Sequence, residues 1–330
     1  MSVRPKRLIG ATILYVILAS TLALVLATPA LGFGTAVVEG HATDAVSHVG
    51  LRGIQVDVWS SVGYHLDTLF TDASGHYTWG EGFVDPSVVV RVTFSDPSKV
   101  YGPQAWGGGV NMLQGADIAL VDGDHKTADG ALQKGVTFRA TVTRTGHPYT
   151  KLPGIYVDYT WDAYPINAFW TGYTSAAGIN VLSGGAPGVW SFDGVDPTGR
   201  FDEAFSTTSG QTFLAGSVSA IPIEMPVVDP SQDVVLSVPF AKSPQKAGNA
   251  FSVTGTLSKR VTRPKTVTIL AIKGGTHKTF GAKITAKATS STYKASVKLK
   301  KGTWTLVALF GGNQTLAPTD SGTGSTVKVK

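Results

Sequence analysis

An all-β protein made of tandem β-sandwiches is the fold class this sequence predicts, and three observations predict it. Thr, Val, Ser and Gly recur throughout, with 39 Gly and 17 Pro in 330 residues, and after the N-terminus there is no long Ala/Leu/Glu/Lys tract with a 3.6-residue period. Short apolar runs alternate with polar residues between turn signals such as Asp72-Ala73-Ser74-Gly75. The chain also repeats itself: Leu51-Arg52-Gly53-Ile54-Gln55-Val56-Asp57 returns as Leu152-Pro153-Gly154-Ile155-Tyr156-Val157-Asp158, and Thr71-Asp72-Ala73-Ser74-Gly75 as Thr174-Ser175-Ala176-Ala177-Gly178. The offsets are 101 and 103 residues, about the length of one small sandwich.

The N-terminus sets the compartment. Arg4, Lys6 and Arg7 precede an uncharged run from Leu8 to Ala27, followed by Thr28-Pro29-Ala30-Leu31-Gly32, the basic, apolar, cleavable order of a secretory signal. Residues 1–32 are therefore a signal peptide or a membrane anchor, with cleavage expected after Ala30 or Gly32. The apolar run is longer than the usual core of about 7–15 residues and reaches the span of about 20 that crosses a bilayer, so an uncleaved anchor through residues 8–27 stays open. On either reading the basic residues keep the N-terminus inside and the remainder is extracellular or at the cell surface. With no Cys the chain has neither disulfides nor a lipoprotein anchor. Leu316-Ala317-Pro318-Thr319-Asp320 has the wrong order for a wall-sorting signal, and Gly324–Lys330 reads as a last strand.

Charge divides the rest. Residues 33–241 hold 9 Lys/Arg against 21 Asp/Glu, whereas residues 242–330 hold 16 against the single Asp320. The step falls in Pro239-Phe240-Ala241-Lys242-Ser243-Pro244 and reads as a domain boundary hidden by the net charge of +6. Together with the repeat it gives modules at 33–133, 134–241 and 242–330.

In the first module Val37-Val38-Glu39-Gly40 opens a strand. Ile54, Val56 and Val58 then alternate with Gln55, Asp57 and Trp59, and Asp72–Gly75 turns the chain into Tyr77-Thr78-Trp79. Val88–Phe94, bounded by Asp85-Pro86 and Asp96-Pro97, is apolar enough to lie between neighbouring strands. Gly40, Leu51–Val56 and Thr71-Asp72-Ala73-Ser74-Gly75-His76-Tyr77 resemble the pattern of carboxypeptidase regulatory-like domains over residues 36–95, which implies a transthyretin-like sandwich. The second copy departs from that pattern at Ser175 and Asn180. Related adhesin modules carry a Glu for a Lys–Asn crosslink in the strand corresponding to Val88–Phe94; none is present here, and no crosslink is expected.

In the third module Phe251–Leu257, Val267–Ile269, Tyr293–Leu299 and Gly302–Ala308 read as strands, with Lys294, Ser296, Lys298 and Lys300 on one face of the Tyr293 strand. Tyr293-Lys294-Ala295-Ser296-Val297-Lys298 and Gly302-Thr303-Trp304-Thr305-Leu306 resemble the bacterial Ig-like repeats of actinobacterial exported proteins, which implies an Ig-like sandwich used as a spacer or binding module.

Sequence patterns with a catalytic mechanism are missing: there is no His-Glu-x-x-His, Gly-x-Ser-x-Gly, P-loop or dinucleotide glycine motif. The seven histidines have no metal-ligand spacing, the chain has only four Glu, and neither an enzyme nor a cofactor is expected. Asp122-Gly123-Asp124-His125-Lys126-Thr127-Ala128-Asp129 offers three carboxylates but lacks the closing Glu of a calcium loop, and reads as a solvated linker. Two binding surfaces remain. Tyr156, Tyr159, Trp161, Tyr164, Phe169, Trp170 and Tyr173 crowd together, and of these Tyr159, Trp161, Tyr164, Trp170 and Tyr173 are candidate glycan-stacking residues. Lys294, Lys298 and Lys300 are candidates for contact with an anionic cell-wall polymer or glycan. The expected function is non-catalytic surface display or adhesion, the alternative being a carbohydrate-binding module protein. Export excludes nucleic acid as the partner, and the oligomeric state is not encoded in any recognisable pattern.

Overall fold

The computed structural model describes residues 35–80, 88–162, 168–261, 267–313 and 315–330. The expected export segment 1–32 lies outside the described residues. Within them the chain is all-β, its only helical turns being the 3-10 turns Met112–Gln114 and Pro230–Gln232. No helix among them is long and apolar enough to cross a membrane.

Two sandwiches of the same topology come first. In the first, strand Val37–Asp44 pairs antiparallel with His76–Trp79 and parallel with His125–Thr127 and Gly130–Leu132. The facing sheet runs His65–Phe70, Gln55–Ser60, Val89–Ser95, with Gln104–Ala105 and Ile118–Ala119 at its edge. In the second, Val136–Arg144 pairs antiparallel with Ile179–Gly185 and, over eight residues, parallel with Val218–Met225. Its facing sheet runs Ala168–Tyr173, Tyr156–Trp161, Gly188–Val195, edged by Ala204–Phe205 and Gln211–Phe213. The second sandwich adds a hairpin strand, His147–Lys151.

Side-chain chemistry repeats with the topology. Thr71 donates its hydroxyl to the Leu51 carbonyl and accepts from the Ile54 N–H at 3.0 Å; Thr174 does the same with Leu152 at 2.7 Å and Ile155 at 2.9 Å. Asp96 accepts from the backbone N–H groups of Ser98, Val100 and Tyr101, and Asp196 from those of Thr198, Arg200 and Phe201. This last pair, at an offset of 100 residues, is a third correspondence that the sequence reading did not match. Asp122–Asp129 is not a free linker: the Asp124 carbonyl accepts from Val37, and Ala128 donates to the Glu39 carbonyl, because the edge of the first sheet has backbone groups to satisfy.

The C-terminal strands form one seven-stranded sheet instead of two separate ones. The 11-residue strand Thr276–Ala286 is the cause: it pairs with Val267–Lys273 up to Ala282, and from Ala282 onward with Ser291–Lys298. The sheet rolls at this point. Residues 236–247 then bridge its two edges, meeting Ala250–Leu257 through Leu236 and Phe240 and meeting the last strand, Ser325–Val329, in parallel through Gln245.

Buried hydrophobics form three main clusters, one per unit: Ala36 to Leu132, Val136 to Met225, and Val234 to Val329. Phe138 is the hub of the second, with the rings of Trp190, Phe192 and Phe213 at 5.0, 4.9 and 4.9 Å. Neighbouring units touch closely. A Cβ at Gly102 would lie 2.9 Å from the Ala186 Cα, so these two backbones meet only because residue 102 has no side chain. Ala317, from the C-terminal unit, sits in the second core, and Arg144 of the second unit pairs with Asp233 and donates to the Pro318 carbonyl at 3.1 Å.

Candidate functional site

Three surfaces carry unsatisfied chemistry. The first is the outer face of the C-terminal sheet. Strand Ser291–Lys298 buries Tyr293, Ala295 and Val297 and exposes Lys294, Ser296 and Lys298, the period-two pattern of a half-buried strand. Lys294 lies directly opposite Lys283 on one side and Thr254 on the other. Like charges placed opposite each other weaken a sheet. Among the described residues Lys283, Lys294, Lys298 and Lys300 form no ion pair with any carboxylate. Lys283, Lys294, Ser252, Ser296 and Thr285 line a shallow groove of about 490 Å³ between them. Lys283 was missed in the sequence because Thr276–Ala286 has few apolar residues; the alternation of Phe280, Ala282 and Ile284 was the available signal.

The second surface is the outer face of strand Tyr156–Trp161. Asp158 lies directly opposite Asp193, with Tyr156 one row away beside Tyr173 and with Phe205 opposite Asp193. Burial, then Asp158 and Glu203, push the Asp193 carboxyl up to about 6; burial and Glu203 raise Asp158 as well. One oxygen of Asp158 is buried without a hydrogen-bond partner. The first sandwich shows what is missing. There the corresponding Asp57 receives hydrogen bonds from Gln55 at 2.9 Å and Thr68 at 2.6 Å, with His65 at 3.3 Å, and faces Thr93 instead of a second carboxylate.

The aromatic candidates do not form one outward patch. Tyr159 is only 1% exposed and its hydroxyl donates to Asn180 at 2.7 Å. It is a core residue, which removes it from the expected glycan-stacking set: its strand face turns toward Phe138 and Phe192. Trp170 is half-buried, its ring 5.1 Å from that of Trp190. Trp161 is half-buried at the junction of the first two sandwiches, where its indole donates to the Pro187 carbonyl at 3.1 Å. Tyr173 is 61% exposed and packs edge-on against Tyr156. Tyr164 lies outside the described residues.

The third surface is the crevice at that junction, about 150 Å³, walled by both sandwiches and containing Gln104, Gln133 and Trp161. Elsewhere the acidic residues serve the fold. Asp122 accepts from the Thr35 N–H, Asp124 from the Val121 N–H and Asp129 from the His41 N–H, so the three carboxylates of that segment serve three separate donors. Among the described residues no group of three or more His, Asp or Glu is placed to hold a metal ion.

No family model matches this chain, and no curated protein matches it. Several solved structures align with it weakly. The Bacillus anthracis TIE protein does so at 10% identity and a TM-score of 0.25, over 90% of this chain and 49% of that one. A streptococcal ancillary pilin aligns at 18% identity and 0.27, over 60% of this chain and 64% of that one. A shaft pilin of Lactobacillus rhamnosus GG aligns at 11% identity and 0.24, over 59% of this chain and 98% of that one. The chain thus spans about half of the first of these proteins and under two thirds of the second. Likenesses this weak say nothing about what this chain binds.

Proposed function

We propose that the chain is a non-catalytic protein of the cell exterior that displays attachment faces on stacked β-units, and that its C-terminal unit binds an anionic cell-wall polymer. On this reading the units divide near residues 133 and 241. The first two are transthyretin-like sandwiches of the carboxypeptidase regulatory-like kind, and the third is an Ig-like unit. One observation carries the polymer contact: Lys283 and Lys294 are held opposite each other, with no ion pair among the described residues, on a shallow groove with Lys298 nearby. Opposed lysines cost the fold stability that a bound polyanion returns, and a unit with 16 basic residues against one acidic residue attracts such a ligand at long range. Hydroxyls of Ser252, Ser296 and Thr285 supply neutral hydrogen bonds beside the charges.

The test is retention of the purified protein on insoluble Gram-positive cell wall, with and without its teichoic acid, at about 0.05 and about 0.5 M salt. Retention should require teichoic acid, fall at the higher salt and disappear in a Lys283→Gln/Lys294→Gln/Lys298→Gln variant. Retention that persists in that variant would sink the proposal.

A further inference from the structure

We infer that the crevice between the first two sandwiches is a binding site for one neutral sugar unit, independent of the lysine face. Its walls come from both repeats: Gln104 and Gln133 on one side, Trp161 and Pro187 on the other, with Pro103 at its side. None of the described residues lining it is ionisable, although one unit of the chain is strongly basic and the rest acidic. That selects a neutral ligand, because an ion leaving water here would meet no opposite charge.

The polar groups that are present narrow the class further. A carboxamide both donates and accepts, which matches a hydroxyl that does the same. The Gln104 side-chain oxygen is itself buried with no hydrogen-bond partner. Trp161 and the two proline rings offer C–H and π surface of the kind that packs on a pyranose. At about 150 Å³ the crevice is on the scale of a single small ring and not of a chain.

The site is already formed. The Trp161 indole is tied to the Pro187 carbonyl, Val110 of the first unit packs with Ala186 of the second, and the Gly102–Ala186 backbone contact sets the floor. A ligand held here touches both repeats at once and fixes one against the other.

Calorimetric titration of the full chain with glucose, galactose and N-acetylglucosamine, with glucuronic acid as the charged control, tests the inference. At least one neutral sugar should bind with the millimolar Kd expected for a ligand of this size, and glucuronic acid should bind more weakly. Gln104→Leu should weaken binding about tenfold. Ala131→Trp, at the exposed rim, should block binding while leaving the circular dichroism spectrum and Tm unchanged. Lys283→Gln should leave sugar binding intact, which separates this site from the wall contact. Absence of binding by all three neutral sugars at about 50 mM, equal binding of glucuronic acid, or unchanged affinity in both Gln104→Leu and Ala131→Trp would overturn it.

Discussion

Asp320 and Thr150, 170 residues apart, are joined by a 2.9 Å hydrogen bond from the threonine hydroxyl to the aspartate carboxylate. Asp320 is the single acidic residue after position 241, and it is almost fully buried against the hairpin of the second sandwich. It also accepts from the Tyr149 and Gly322 N–H groups, with His147 at 3.4 Å. Removing the carboxylate leaves these donors unmet, so Asp320→Ala should lower stability by about 3 kcal/mol in urea unfolding. A loss below about 0.5 kcal/mol would mean that the contact is peripheral.

The same residue sets an acid limit. Burial alone would raise the Asp320 pKa, but the hydrogen bonds from His147, Gly322 and Thr150 outweigh burial and hold it below the ordinary carboxylate range. A carboxyl with a depressed folded pKa stabilises at higher pH, and that contribution is lost as the pH falls through the folded value. Wild type should therefore lose stability below about pH 4 by a step that the Asp320→Asn variant lacks. A step of equal size in both proteins would assign it to other carboxylates.

Asp193 carries the opposite sign. With its folded pKa raised to about 6, its ionisation opposes folding, a penalty that is absent below about pH 4 and complete above about pH 6. Asp193→Asn should raise stability at about pH 7 by about 1 kcal/mol after solvent screening, with the gain fading toward about pH 4. Destabilisation at neutral pH would show that the carboxylate has a partner.

Lys283→Thr separates stability from binding. Removing one of two opposed lysines should stabilise the protein by about 0.5 kcal/mol while reducing retention on teichoic-acid-bearing wall. Both thermal melting and wall retention must move, in opposite directions, for the two lysines to be a binding pair.

Phe138→Ala should cost about 3–5 kcal/mol, because Phe138 contacts three aromatic rings within about 5 Å. Tyr159→Phe, which loses one hydroxyl bond to Asn180, should cost about 1 kcal/mol. Equal costs would place the second core elsewhere.

Much of the β architecture was legible because strand alternation is local: Val56 and Val58 point inward and Lys294 and Lys298 outward, at the period that the sequence carries. What alternation does not carry is which face of an aromatic strand is the inner one. Tyr156 and Tyr159 are the same residue type on opposite faces, and only the opposing Phe138 and Phe192 decide that Tyr159 is buried. Pairing across strands was equally hidden. Nothing near Asp158 in sequence announces Asp193, and nothing near Lys294 announces Lys283, since sheet register is a long-range property. The rolled C-terminal sheet escaped for a related reason: a strand that changes partners at Ala282 looks locally like any other.

In the first two units the first strand runs parallel beside the last, Val37–Asp44 with Gly130–Leu132 and Val136–Arg144 with Val218–Met225, and in the C-terminal unit the bridging segment meets Ser325–Val329 in parallel at Gln245. Tension applied along the chain pulls such a pair in opposite directions along their shared axis. The hydrogen bonds between them are then loaded in shear and must rupture together, whereas a hairpin pulled open at its ends unzips one rung at a time. A protein tethered at one end and gripping a wall at the other would put its load on these seams, the second of which carries eight paired residues.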